Sequence, residues 1–122
     1  MENRGDKRIR INPNTLDAEM VRGNTGTFVV RPTVNGEYVL KDGDHLYFTL
    51  RKIKDNRILL QKDVTEFDEG KAEVIITPSD TENLEIGNYI YDLVMTRSDG
   101  TVDSLIPGGR DTAYFSIKRG VK

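Results

Sequence analysis

The chain has 122 residues with 18 basic and 20 acidic side chains, a formal net charge of −2, and no cysteine. That length suits one domain able to bury roughly two thirds of the surface its extended chain exposes, while the missing thiols exclude disulfides, cysteine nucleophiles, cysteine-rich zinc sites and iron–sulfur clusters. A near-neutral balance argues against a binder of phosphate backbones. No apolar run approaches the roughly 18 residues of a membrane span, and the start Met1-Glu2-Asn3-Arg4-Gly5-Asp6-Lys7-Arg8 lacks the apolar stretch of an export signal. The expectation is a soluble, non-exported protein with neither nucleic acid nor membrane as partner.

Three Ala against ten Val, ten Ile and eleven Thr favour pleated surfaces over helices. In chain order, residues 1–8 are read as a flexible N-terminus, residues 9–119 as a single domain and residues 120–122 as a frayed C-terminus. A strand beginning near Thr27 sets Phe28, Val30 and Val34 on one side and Thr27, Arg31 and Thr33 on the other, with Pro32 marking a bulge or sheet edge. Asn35-Gly36 forms a tight hairpin turn leading to Tyr38, Val39 and Leu40. From His45 to Arg51, Leu46, Phe48 and Leu50 alternate with His45, Tyr47, Thr49 and Arg51, so one face is core and the other wet. Ile58–Lys62 is the next strand, the stretch from Asp63 to Lys71 an acidic surface loop, and Ala72–Thr77 another strand.

Thr77-Pro78-Ser79-Asp80 opens the one short helix, with Thr77 as N-cap, Pro78 in the first helical position and Asp80 reaching back as in a capping box. The helix ends before Gly87 and leads into Tyr89 and Tyr91. That arrangement resembles the tyrosine corner of immunoglobulin-like sandwiches, and Tyr89 is the better candidate for its backbone hydrogen bond. A long strand from Asn88 to Arg97 turns at Asp99-Gly100 into Thr101–Ile106, and Pro107-Gly108-Gly109-Arg110 forms a flexible loop before the last strand, Thr112–Lys118. Seven or eight short strands with turn signals between them imply an all-β fold. The expectation is an antiparallel two-sheet β-sandwich, immunoglobulin-like, with one short helix near residues 78–84.

The census of catalytic groups is poor. His45 is the only imidazole, and Ser79, Ser98, Ser104 and Ser116 have no nucleophile-elbow context. By alternation His45 lies on the wet face at a strand start, where a solvated histidine is the ordinary outcome. Asp42, Asp44 and His45 match no calcium loop, and Asp42-Gly43-Asp44 reads better as a turn whose carboxylates cap backbone amides. Glu66, Asp68 and Glu69 read as a solvated loop. Asp92 is an acid in an otherwise apolar strand and calls for an Arg or Lys on a neighbouring strand. Arg4-Gly5-Asp6 is read as a chance tripeptide, and Pro107-Gly108-Gly109-Arg110 lacks the helix and the Lys-Ser/Thr of a phosphate-binding loop. No enzyme, metal or cofactor is expected.

Several ordered stretches carry a family resemblance: Arg22-Gly23-Asn24-Thr25, the run from Gly43 to Lys52, Leu59-Leu60-Gln61-Lys62, and Ile76-Thr77-Pro78-Ser79-Asp80-Thr81. They continue through Leu84, Gly87, Tyr89 and Tyr91-Asp92-Leu93 to the run from Asp99 to Ile106. In that order and spacing the chain resembles small structural proteins encoded by phages and prophages of Gram-positive bacteria, similar in layout to the N-terminal β-sandwich of baseplate upper proteins. The resemblance implies a virion part, made in the host cytoplasm, that docks onto the tail or baseplate core and works through contacts with other virion proteins or with copies of itself. Candidate contact residues are Asp42, Asp44, Glu66, Asp92 and Arg110. Alternative readings are a head decoration protein or a carbohydrate-binding module using Tyr38 and Tyr47 as platforms. Nine aromatics without a Trp are a thin supply for the latter.

Overall fold

Period-two alternation has one structural consequence here, two stacked sheets. In the computed structural model, which describes residues 9–12, 14–107 and 112–120, the strands are β1 (Arg10–Ile11), β2 (Ala18–Val21), β3 (Gly26–Val30), β4 (Thr33–Val34), β5 (Glu37–Tyr38) and β6 (His45–Arg51). They continue as β7 (Ile58–Val64), β8 (Ala72–Ile76), β9 (Gly87–Thr96), β10 (Val102–Ile106) and β11 (Tyr114–Lys118), with one helical turn, α1 (Pro78–Thr81), between β8 and β9.

The larger sheet runs β1-β2-β11-β9-β6-β7. β9, with ten residues, is long enough to take β6 along one edge while β11 pairs with residues 87–90 and β10 with residues 93–96 on the other. β3 and β8 form the opposite layer, antiparallel, with Phe28 across from Val74. Between the layers lie Leu46, Phe48 and Leu50 from β6, Tyr91 and Leu93 from β9, Val74 and Ile76 from β8, and Phe115 and Ile117 from β11, each 3% exposed or less. Four rings lock the centre: Phe48 sits 5.8 Å from Phe115, 5.8 Å from Tyr91 and 6.0 Å from Phe28, edge-on or tilted, as the ring quadrupoles favour.

The all-β sandwich expected from alternation is present, and β6 spans the residues read for it. Pairing is antiparallel apart from β2, which runs parallel to β11. Such a first-to-last closure, facing a β3–β8 layer, gives the sandwich its immunoglobulin-like strand order. The tyrosine corner is also there: the Tyr89 hydroxyl donates to the Glu85 carbonyl at 2.6 Å. Tyr91, one pleat further on, donates to the Leu16 carbonyl at 2.6 Å.

Several expectations are corrected. The strand begun near Thr27 does not carry through to Val34: β3 stops at Val30, and Thr33–Val34 pairs instead with Glu37–Tyr38 in a hairpin of its own, leaving Val34 55% exposed. Asn35 and Gly36 occupy its turn with φ of 53° and 83°, the left-handed pair a type I′ hairpin requires. β1 and β2, absent from the sequence reading, are too short for alternation to reveal. The helix is a single turn, Pro78–Thr81, not one reaching residue 84. Within the stretch read as an acidic loop, β7 continues to Val64, and Asp68 and Lys71 exchange backbone hydrogen bonds at 2.9 and 3.0 Å around Glu69-Gly70.

Candidate functional site

Among the described sequence-derived contact residues, Asp44 is the one the structure removes from the surface. It is 2% exposed. Its Oδ2 accepts the Lys41 N–H at 3.0 Å and its Oδ1 accepts the Ser98 N–H at 2.9 Å, and Arg97 Nε lies 3.3 Å away. A buried carboxylate needs such donors and a counter-charge. Asp44 therefore ties the β5–β6 connection to the β9–β10 turn and is no interface residue. The turn reading of Asp42-Gly43-Asp44 is right, with Asp42 left exposed.

His45 diverges from Asp44 onto the outward face of β6. There its Nδ1 lies 2.9 Å from Asp63 Oδ1 and its ring stacks on Tyr47 at 5.5 Å. Asp42, Asp44 and His45 thus do not converge. Among the described residues no group of three His, Asp or Glu side chains is arranged to hold a metal ion.

Asp92 finds the cation expected for it. It stands opposite Thr49 on β6, and Arg51, two residues along that strand, places Nε 3.4 Å from its Oδ2. Glu66 is exposed and lines two surface grooves of about 470 and 440 Å³ together with Glu73. Val29, Phe67 and Lys71 also line one groove, and Lys62, Val64 and Ile75 the other. Both lie on the flank where β7 and β8, the outer strands of the two layers, come near each other. Arg110, the Arg4-Gly5-Asp6 tripeptide and most of the 107–112 loop lie outside the described residues.

The two tyrosines considered as sugar platforms are not assembled into one. Tyr38 is 47% exposed on the β4–β5 hairpin, with Lys71 Nζ 5.6 Å from its ring centre. Tyr47 is engaged with His45 on the outward face of the larger sheet.

Titration behaviour follows packing. Burial, with the Asp17 carboxylate nearby, pushes the Tyr91 hydroxyl up to about 12. Burial and the Glu85 carboxylate move Tyr89 in the same direction. At Asp80, burial alone would raise the pKa, but hydrogen bonds from Lys62 Nζ at 2.7 Å and the Thr77 N–H at 2.7 Å outweigh it and hold the carboxyl below the usual carboxylate range.

Sequence reasoning missed three of these connections: Arg97 beside Asp44, the Gln61 amide donating to Thr49 Oγ1 at 3.0 Å, and Tyr91 to Leu16. Thr49 and Gln61 lie on paired strands, and Asp44, Arg97 and Leu16 lie just outside strand ends that the sheet order brings together, so no local spacing signals them.

No family model matches the sequence, and none of the curated proteins does. Among solved structures the chain is similar to the N-terminal domain of phage TP901-1 ORF48, with a TM-score of 0.53 and 14% identity over 92% of this chain and 97% of that one. At that identity the likeness is one of fold.

Proposed function

We propose that this chain is a non-enzymatic structural module of a phage particle that acts at the tail or baseplate through protein–protein contacts. The observation that carries the reading is the near end-to-end correspondence between this sandwich and a domain encoded by a phage, with 92% and 97% of the two chains superposed. It joins the resemblance carried by the order of Arg22-Gly23-Asn24-Thr25, Gly43–Lys52 and the run from Ile76 onward. A rigid sandwich suits such work because its edges and connections can be presented to repeated neighbours without reorganisation. Within this reading, the exposed Asp42 turn, the Glu66–Glu73 flank and the loop bearing Arg110 are the contact elements, and the site of action is the virion after assembly in the host cytoplasm.

Particles induced from the host that carries this gene, purified on a density gradient and analysed by mass spectrometry, test the reading. The chain is expected in the particle fraction at a fixed ratio to the tail proteins and, after chemical cross-linking, joined to one of them. Its absence from intact particles would overturn the proposal. Enrichment with tail-less heads would favour the head decoration alternative instead.

A further inference from the structure

In an antiparallel pair each strand turns the backbone groups of alternate residues toward its partner and those of the rest away from it. On β3 the Thr27 carbonyl accepts the Ile9 N–H at 3.3 Å, so Thr27 faces away from β8 and its register partner Ile75 faces away from β3. The residues that flank β8 fit the same parity. Lys71 exchanges backbone hydrogen bonds with Asp68 at 2.9 and 3.0 Å. Thr77 donates its N–H to the Asp80 carboxylate at 2.7 Å, and its carbonyl accepts the Asp80 N–H at 3.0 Å. The chain thus closes this edge of β8 at both ends. Between them Glu73 and Ile75 present N–H and C=O groups that bond to no described residue.

Open space lies beside these groups. The groove of about 440 Å³ that borders Glu73 and Ile75 is walled on its other side by Lys62 and Val64 of β7. Among the other outer strands, β1 has two residues, β10 shifts register between Ser104 and Ile106, and β3 is met by Ile9. Short, bulged or covered edges resist the addition of a strand. β8 keeps an unbroken register and has neither Pro nor Lys.

The charges around the two grooves select what fits there. Lys62 is held by Asp80 at 2.7 Å and Asp63 by His45 at 2.9 Å, while Lys71 stands 3.9 Å from Glu69 and over the Tyr38 ring. The carboxylates of Glu66, Asp68 and Glu73 have no ion-pair partner among the described residues, and Arg31 is the one lining cation in the same condition. The unpaired charge of the flank is therefore acidic. Beside it Ile75 is 46% and Val29 41% exposed.

We propose that the open edge of β8 takes up an extended segment of another protein as an added strand, and that this segment carries a Lys or Arg two positions from an apolar residue. Strand addition satisfies the open groups of Glu73 and Ile75. Residues directly across from these two lie two positions apart on one face of the new strand, so the one beside Glu73 is basic and the one beside Ile75 apolar. A second copy of β8 does not meet this demand, because the open stretch of its edge has no base to set beside Glu73. The inference names the partner chemistry of the Glu66–Glu73 flank and rests on the reading of that flank as a contact element. A chain present in particles that takes up no such strand fails here alone.

Selection of a displayed library of short random peptides on the purified chain, followed by backbone amide hydrogen exchange with an enriched peptide at saturation, is the test. Enriched peptides are expected to place Lys or Arg two positions from Val, Ile, Leu or Phe, and to slow exchange at Glu73 and Ile75 by at least about tenfold. Glu73→Lys, at an exposed position, is expected to weaken binding by at least about tenfold while keeping cooperative unfolding. Ile75→Pro, which removes one edge donor, is expected to weaken it as well. If that variant loses cooperative unfolding, Glu73→Lys is read alone. A library that yields no binder, binders without the basic and apolar pair, unchanged exchange at the two amides, or full binding in Glu73→Lys would each overturn the proposal. So would self-association of the chain that protects those amides without peptide, which would give the edge to a second copy.

Discussion

Asp44 shows how differently one carboxylate reads along the chain and in space. In the sequence it belongs to a surface turn, and folded it accepts the Ser98 amide from 54 positions away while Arg97 supplies the counter-charge. Replacing it with Ala strands two amides and a largely buried guanidinium, an expected loss of roughly 2–4 kcal/mol, read as a fall in urea midpoint at unchanged slope. Tyr91 gives the pH signature. Its hydroxyl titrates near 12 when folded against about 10 when unfolded, so the folded state holds its proton more tightly. The stabilisation is complete below pH 10 and is lost as pH rises from there through about 12. Melting temperature should fall across that window in the wild type and fall less steeply in Tyr91→Phe, whose melting point at neutral pH should already be lower by the loss of a bond worth about 1 kcal/mol. The bond from Tyr89 was readable from the corner between the helical turn and β9, and the need of Asp92 for a cation from strand alternation, because each rests on a local rule; that the cation is Arg51 was not. Arg97 and Leu16 were not, because no local rule chooses among distant strands.

Single elements were legible wherever a turn or cap carries its own chemistry. The Thr77–Asp80 reciprocal cap and the Asn35-Gly36 turn formed where their residues indicated. Two glycines separate backbone preference from crowding. Gly36 has φ of 83° with open space where a Cβ would go, whereas at Gly70, with φ of 77°, a Cβ would stand 2.7 Å from the Tyr38 Cβ and 2.8 Å from its backbone carbon. Gly36→Ala should therefore cost only the left-handed backbone penalty, about 1–2 kcal/mol. Gly70→Ala should cost more, by roughly 1–3 kcal/mol of overpacking, and chemical denaturation of the two variants side by side decides it. The elements that were not legible are short and have no tight-turn dipeptide between them. β1 and β2 have two and four residues, too few for a period to show, and they exist as strands because β11 offers β2 a parallel edge.

At the scale of the molecule, stability rests on the contact between layers. Phe48 is fully buried at the junction of three other rings. Phe48→Ala is expected to cost about 3–5 kcal/mol, a large share of the roughly 5–15 kcal/mol available to a domain of this kind, so the variant should unfold at far lower urea or fail to accumulate folded. Tyr47→Ala, on the outward side of the same strand, should leave the urea midpoint much nearer that of the wild type. Composition and alternation alone determined that the chain is all-β, which side of β6 faces inward, and where the tight turns and the capped helical turn fall, because these depend on interactions between residues close in sequence. Only the tertiary structure decided that β2 closes the sheet in parallel on β11, that Asp44 is interior, and that Arg51 is the cation beside Asp92. Those outcomes depend on strand order, and strand order is settled by which apolar faces can be buried together across the whole chain.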